Sequence, residues 1–112
     1  MTASIDRSKI RDFLLEMKMI LSRENSFHLV ERDKNLQALE KLEYTIYDAK
    51  TVLLSLTVND YVKGPEPDDN PNFPGEIWVF GTTIGDTELY IKIKIAQSKP
   101  HRKQVVCISF HD

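Results

Sequence analysis

The chain has 112 residues, of which 41% are hydrophobic, 9% aromatic and 29% charged. This length and composition predict a single domain over residues 1–112 and exclude a disordered or fibrous chain. The formal net charge of −2 excludes a protein whose overall charge attracts nucleic acid. The apolar runs are too short to cross a bilayer, and charges near the N-terminus interrupt any secretory signal, so we expect a cytoplasmic protein with no membrane partner.

The cysteine and histidine content bears on redox and metal chemistry. A single cysteine, Cys107, can neither form an internal disulfide nor build a thiolate metal site alone. His28 and His101 have no ligand partner at metal-binding spacing, which favours structural or surface roles for both. We therefore expect neither a metal nor a cofactor.

The apolar residues of the N-terminal half recur at helical spacing. The pattern predicts a helix capped by Ser4 or Asp6, a second capped by Asp33, and a third that begins at Thr45 with Asp48 as its capping partner. A short strand over residues 27–30 separates the first two helices. The expected buried positions are Ile10, Phe13, Leu14, Met17, Ile20 and Leu21, then Leu36, Leu39 and Leu42, then Ala49, Val52, Leu53 and Leu56.

The C-terminal half changes to the period of two that is typical of strands. Residues 64–75 contain four prolines and are predicted to form a loop. Strands are expected over residues 77–84, 87–96 and 103–110, with a two-residue hairpin turn at Gly85-Asp86 and a further turn at residues 99–101. The order of elements predicts an α+β fold in which the N-terminal helices pack on one face of a twisted antiparallel sheet.

The alternation in the last two strands predicts which side chains face away from the helices. One predicted strand turns Leu89, Ile91, Ile93 and Ile95 to the core and Tyr90, Lys92 and Lys94 outwards; the next turns Val106, Ile108 and Phe110 inwards and Cys107, Ser109 and His111 outwards. Trp78 and Phe80 are placed in the core. If these strands pair, cations, a phenol and an imidazole share one open surface.

That surface lies in a locally basic stretch of the chain. Residues 88–103 contain five basic residues against one acidic residue, whereas residues 59–76 contain five acidic residues against one lysine. A basic stretch inside a nearly neutral protein can bind an anionic ligand, although the charge alone favours a solvated strand face.

The second half of the chain resembles the MqsR family of type II toxins, which are ribosome-independent mRNA interferases with a RelE-like fold. The segments that carry the resemblance are Asp60-Tyr61-Val62-Lys63, Gly75-Glu76-Ile77-Trp78-Val79-Phe80-Gly81, Leu89-Tyr90-Ile91-Lys92-Ile93-Lys94-Ile95 and Ile108-Ser109-Phe110-His111. The family pattern is an Asp-aromatic-x-Lys after a helix, a strand that bears a tryptophan, a Tyr-x-Lys strand and a terminal strand ending in Ser-Phe.

The resemblance implies a catalytic set of Lys63, Tyr90 and His111. His111 occupies the position of a C-terminal lysine in the family, and RelE-like relatives often use a histidine or tyrosine there. The glutamine that follows the family's tryptophan is replaced by Val79, which can neither transfer a proton nor form a side-chain hydrogen bond. Lys92 and Lys94 are the expected RNA- and phosphate-binding residues.

The implied function is a toxin that cleaves mRNA and is inhibited by a cognate antitoxin protein. The reaction is metal-independent transesterification, in which the 2′-hydroxyl attacks its own phosphodiester and leaves a 2′,3′-cyclic phosphate. His111 serves as general acid or base, Lys63 and Lys92 neutralise the developing charge, and Tyr90 positions the phosphate or shares the proton transfer. The alternative is a non-catalytic module that binds protein or RNA through the same basic face.

Overall fold

The computed structural model describes residues 5–68, 75–99 and 102–112. Its elements, in chain order, are α1 (Arg7–Leu21), β1 (Phe27–Leu29), α2 (Asp33–Leu42), α3 (Ile46–Ser55), a 3₁₀ turn (Val58–Asp60), β2 (Tyr61–Pro67), β3 (Glu76–Ile84), β4 (Thr87–Lys99) and β5 (Arg102–His111). The predicted α+β fold, with helices first and sheet second, is confirmed.

The five strands form one sheet in the order β1-β5-β4-β3-β2. The β2–β3, β3–β4 and β4–β5 pairs are antiparallel, but β1 pairs with β5 in parallel. The sheet is therefore mixed, and the prediction of a wholly antiparallel sheet was wrong. Most of the chain lies between β1 and β5, and no short turn links them. Hairpin geometry therefore does not fix their relative direction.

The helices begin where side chains satisfy free backbone N–H groups. The Asp6 side chain accepts a hydrogen bond from the Ser8 N–H at 2.9 Å, and Thr45 forms a capping box with Asp48, as predicted. The second helix differs, because Asp33 is its first residue and Arg32 is the N-cap, with no side-chain capping bond.

The hydrophobic core lies between the helices and one face of the sheet. Trp78 and Phe80 face the core as predicted, and the ring of Phe13 from α1 stacks on Trp78 at a centroid distance of 4.6 Å. The predicted buried residues of α1 and α3 are all buried. Stacked aromatic rings add a geometric preference to the burial of apolar area, which fixes α1 across the middle of the sheet.

One of the three predicted buried residues of α2 is exposed, while Leu39 is buried as predicted. Leu36 is 43% exposed, whereas Asn35 is fully buried together with Ala38 and Leu39. Leu42 is partly buried against the core. The three buried residues share the i, i+3, i+4 stripe that packs on β5, and Leu36 lies about 100° away from Asn35 around the helix.

A β-bulge in β5 changes which of its residues face the core. Lys92 pairs with Ser109, but the next residue of β4, Ile93, pairs with Cys107, so Ile108 is the extra residue. The inward side chains are therefore Val105, Cys107 and Phe110. The prediction that Val106 and Ile108 face the core and that Cys107 faces outwards was wrong, because the bulge shifts the alternation by one residue.

The proline-rich segment begins as a strand. Residues 61–67 pair with β3 as the edge strand β2, although we predicted a loop from residue 64 onwards. An edge strand tolerates proline, and the pairing of β2 with β3 shifts register on both sides of Lys63. Gly64, at φ 119°, passes so close to β3 that a Cβ atom there would lie 2.7 Å from the Ile77 carbonyl oxygen.

The hairpin between β3 and β4 has the predicted two-residue turn. Ile84 pairs with Thr87, and Gly85 adopts a φ of 59°, as the turn requires. The predicted loop at residues 69–74 lies outside the described residues, as does the turn at Pro100 and His101.

Candidate functional site

The sheet face that points away from the helices carries the predicted site residues. Paired residues of neighbouring strands project on the same side, so the pairing defines two rows on this open face. The tyrosine row consists of Gly81, Tyr90 and His111; the lysine row consists of Lys63, Val79, Lys92 and Ser109. The two rows are separated by two residues along each strand, or about 7 Å.

Tyr90 and His111 form a stacked pair at one end of the open face. Their ring centroids are 5.7 Å apart, and the ring planes are inclined by 27°. Tyr90 is 36% exposed and His111 is half-buried, so both rings can reach solvent. The residue opposite Tyr90 on β3 is Gly81, which leaves the other side of the phenol ring without a side chain from that strand.

The hydrogen bonding of His111 favours one tautomer. Its Nδ1 lies 3.2 Å from the carbonyl oxygen of Asp112, which can only accept. The Nδ1 atom therefore carries the hydrogen in this contact, and Nε2 of the neutral ring is the basic nitrogen. Within the described part of the chain, no residue forms a hydrogen bond with Nε2.

The C-terminal residue is tied to α2. Lys41 donates a hydrogen bond to Asp112 Oδ2 at 2.6 Å, and this contact lowers the pKa of the Asp112 carboxyl below its ordinary value. Asp112 immediately follows His111, so the ion pair limits the motion of the backbone that carries the imidazole.

Arg32, a residue that sequence analysis missed, lies at one end of the lysine row. Lys92 lies opposite Ser109, and Arg32 Nη1 donates a hydrogen bond to Ser109 Oγ at 3.3 Å. Ser109 is only 3% exposed, whereas Lys92 is half-buried and Arg32 is exposed. Neither Arg32 nor Lys92 makes an ion pair with any described residue. The cation bonded to Ser109 and the cation paired opposite it therefore have no acidic partner within the described residues.

Lys63 lies at the other end of the lysine row. It is two strands from Lys92, or about 10 Å between backbones, and its side chain is 54% exposed. Its Nζ lies 3.8 Å from Glu66 Oε1 on the same strand. An exposed pair at that distance contributes little to stability, so Lys63 can turn towards a bound anion at little cost.

Lys94 does not share this open surface. The residue is 5% exposed, and its Nζ lies 2.5 Å from Asp68 Oδ2, just beyond the end of β2. The prediction that Lys94 lies on the open surface with Lys92 was wrong, because Lys94 is buried and Asp68 supplies it with a carboxylate.

The centre of the open face is apolar. Val79 is 1% exposed between Lys63 and Lys92, at the position where the MqsR family has glutamine. Its side chain contributes only packing, so chemistry on this face depends on the residues around it.

Cys107 and His28 lie away from these rows. Cys107 is fully buried in the core, where burial raises the pKa of its thiol to about 12. His28 is exposed on β1. The described residues contain no group of three or more histidine, cysteine or acidic side chains that could hold a metal ion.

Asn35 is the second residue that sequence analysis missed. Its side chain is fully buried and binds three backbone groups, those of Val30, Ile108 and Phe110. The available signal was its place on the helical stripe of Ala38, Leu39 and Leu42, where an apolar residue is the rule. Arg32 had no comparable signal, since its partner lies 77 residues further along the chain.

Comparisons with known proteins give no relative for this chain. No family model matches it, and neither a curated protein nor a solved structure is significantly similar to it. No helix in the described part of the chain is both long enough and apolar enough to cross a membrane. The resemblance to the MqsR family therefore rests on the quoted sequence segments alone.

Proposed function

We propose that this protein is the toxin of a type II toxin–antitoxin system, a metal-independent endoribonuclease that cleaves mRNA in the cytoplasm without the ribosome. The observation that carries the proposal is the stacked pair of Tyr90 and His111, with the basic Nε2 in no hydrogen bond to a described residue and Lys92 one row away. Cleavage of a phosphodiester requires a proton-transfer group near cations, and Arg32 and Lys92 have no acidic partner among the described residues.

The reaction breaks one phosphodiester and forms a cyclic one. The 2′-oxygen loses its proton and bonds to phosphorus, the bond from phosphorus to the 5′-oxygen breaks, and the departing 5′-oxygen gains a proton. The products are a 2′,3′-cyclic phosphate and a 5′-hydroxyl end. His111 Nε2 accepts the 2′-hydroxyl proton while Tyr90 or water gives a proton to the departing 5′-oxygen. When the ring is doubly protonated, His111 instead gives that proton and water accepts the one from the 2′-hydroxyl.

The remaining residues act on the charge that develops at phosphorus. Lys92 neutralises the nonbridging oxygens from the adjacent row, and Tyr90 donates its phenol hydrogen to the phosphate while its ring supports the imidazole. Lys63 approaches from the opposite side of Val79 after releasing Glu66. Loss of one such donor reduces the rate by about 10²-fold or more.

The expected protein partner is a cognate antitoxin that inhibits the nuclease. This part of the proposal is supported by the resemblance of Lys63, Tyr90 and His111 to the family's catalytic set. It is also supported by their common position on an exposed face that a second protein can cover.

The test is to incubate the purified protein with a long RNA in the presence of a chelator and to map the new ends by primer extension. We expect defined cuts ending in cyclic phosphate, absent with His111→Ala and strongly reduced with Tyr90→Phe. The matched control is His28→Ala, because His28 is an exposed strand histidine outside both rows.

Two results would contradict the proposal. Cuts that persist with His111→Ala would show that another group, or a contaminant, carries out the reaction. Retention of RNA by the wild-type protein without any cut would favour the non-catalytic binding module.

A further inference from the structure

The cationic group around Ser109 extends beyond the residues that transfer protons. Arg32 reaches the open face from the connection between β1 and α2, and its guanidinium is bonded to Ser109 Oγ at 3.3 Å. Lys92 is the residue of β4 that pairs with this serine across the sheet. The guanidinium has five N–H donors, of which this contact uses one, so several donors remain for a second acceptor.

We propose that Arg32 is a phosphate-binding residue that, oriented by Ser109 and together with Lys92, holds the phosphate next to the one being cleaved. This inference rests on the proposed function for the identity of the ligand, which is single-stranded RNA. The lysine row lies about 7 Å from the tyrosine row, a distance comparable with the separation of neighbouring phosphates in an extended strand. An RNA strand running parallel to β4 thus places one phosphate at Tyr90 and His111 and the next at Arg32.

The local charges support an anion at this position. Arg32 and Lys92 lack a carboxylate partner among the described residues, whereas the buried Lys94 on the same face has Asp68. Ser109 is buried, and its hydroxyl accepts a hydrogen bond from Arg32, which orients the exposed guanidinium. A bidentate guanidinium–phosphate contact is stronger than a contact from a lysine at the same place.

Binding of a labelled oligouridylate, measured by fluorescence anisotropy over a range of salt concentrations, tests the inference. We expect Arg32→Ala to weaken binding about tenfold, as for loss of a hydrogen bond to a charged group. The slope of the logarithm of the binding constant against the logarithm of the salt concentration should be shallower by about 0.7 for this variant. That is the value for the loss of one phosphate contact to a single strand. Arg11→Ala is the matched control, because Arg11 is exposed on α1, on the helical side of the molecule. Arg32→Lys should restore the slope and only part of the affinity.

A second measurement locates the phosphate. The RNA spans a mapped cut, and a 2′-deoxy nucleotide at the cut prevents cleavage. One phosphate beside the cut is replaced by a methylphosphonate, which carries no charge. For the wild-type protein, the neutral group on one side should weaken binding as much as Arg32→Ala does. For Arg32→Ala, the same group should have no further effect.

The outcomes separate this inference from the proposed function. If the wild-type protein cuts RNA and Arg32→Ala matches Arg11→Ala in affinity and slope, Arg32 does not bind phosphate and the inference is overturned while the nuclease stands. If RNA is bound but not cut and the slope changes only with Arg32→Ala, the phosphate contact stands and the nuclease does not. Absence of binding to any RNA overturns both.

Discussion

The buried side chain of Asn35 accepts a hydrogen bond from the backbone N–H of Phe110 at 2.9 Å. The same amide donates to the carbonyl oxygens of Ile108 at 3.0 Å and Val30 at 2.8 Å. Asn35 thus binds the backbone on both sides of Ser109, at the bulge where β5 changes its alternation. It fixes the segment that carries Ser109 and His111 to α2.

The first prediction concerns this amide. Asn35→Ala removes the side-chain partner of the Ile108 carbonyl and the Phe110 N–H, while the Val30 carbonyl keeps its bond from the Arg32 N–H. The cost is about 1–3 kcal/mol for each group that water does not reach. We expect a total loss of at least about 2 kcal/mol in the free energy of unfolding, measured in urea. RNA cleavage should also fall under conditions in which the variant is fully folded. The control is Leu36→Ala, at an exposed neighbour; equal losses for the two variants would contradict the role given to Asn35.

The second prediction concerns the catalytic residues. Tyr90→Phe, Lys63→Ala and His111→Ala should each abolish or strongly reduce growth arrest on expression, while stability changes by only a few tenths of a kcal/mol. Tyr90→Phe retains the ring that stacks on His111 and removes only the hydroxyl. Growth and melting temperature are measured for each variant.

The control for these variants is Ile93→Ala. Ile93 is fully buried in the core, so its truncation should cost about 2–5 kcal/mol and act through unfolding. Full toxicity of the three variants at wild-type expression would refute the catalytic assignment. Melting temperatures as low as that of Ile93→Ala would instead contradict their placement on the open face.

The third prediction separates two lysines of β4 that are two residues apart. Lys92→Met should weaken RNA binding and leave stability nearly unchanged, since Lys92 forms no ion pair with a described residue. Lys94→Met removes the buried ion pair between Lys94 and Asp68 and should lower the free energy of unfolding by about 3 kcal/mol.

The control for Lys94 is the double variant Lys94→Met/Asp68→Leu. It removes both charges and should recover most of the lost stability, because an apolar pair can replace a buried ion pair. Urea unfolding and anisotropy measure the two effects. If the fully folded Lys94→Met variant bound RNA more weakly than the wild-type protein, the exclusion of Lys94 from the RNA-binding residues would be wrong.

The fourth prediction follows from the buried thiol of Cys107. Its pKa is raised from 9.0 to about 12 by burial, so the folded chain keeps the proton when the unfolded chain has lost it. Below pH 9 the buried thiol makes its full contribution to the free energy of unfolding. Between pH 9 and about pH 12 that contribution falls by about 1.4 kcal/mol per pH unit. Comparison with Cys107→Ala isolates this slope from the titration of lysines and tyrosines.

A chemical measurement provides a second readout for Cys107. The thiol of the folded protein should resist alkylation by iodoacetamide at pH 8 and react at once in denaturant, because the thiolate is the reactive form. Rapid alkylation of the folded protein, or equal alkaline slopes for wild-type and Cys107→Ala, would contradict the buried position.

Local sequence patterns predicted most of the fold because they act over a few residues. The stripes of α1 and α3, the capping pair Thr45 and Asp48 and the turn at Gly85 depend on neighbours in the sequence, and all were predicted correctly. Features that depend on residues far apart in the sequence were not predicted. The parallel pairing of β1 and the strand character of residues 64–67 depend on which edges the rest of the sheet leaves free.

The candidate site shows the same division. Strict alternation along β4 placed Tyr90 and Lys92 on the open face correctly. In β5 the same rule assigned the residues that precede Ser109 to the wrong face, because no residue near Ile108 signals a bulge. Lys94 was misplaced since burial by Asp68 is a tertiary effect. Arg32 and Asn35 enter the site only through the contact of the β1–α2 region with β5.

The two outer strands of the sheet leave little backbone that a second molecule could use for strand pairing. On one side, β1 is three residues long, and beyond it Asn35 occupies the β5 groups of Ile108 and Phe110 that an incoming strand would bind. On the other side, β2 contains Pro65 and Pro67, which lack N–H donors, and shifts its register twice. Both borders therefore resist edge-to-edge aggregation, although the strands between them are rich in isoleucine and valine.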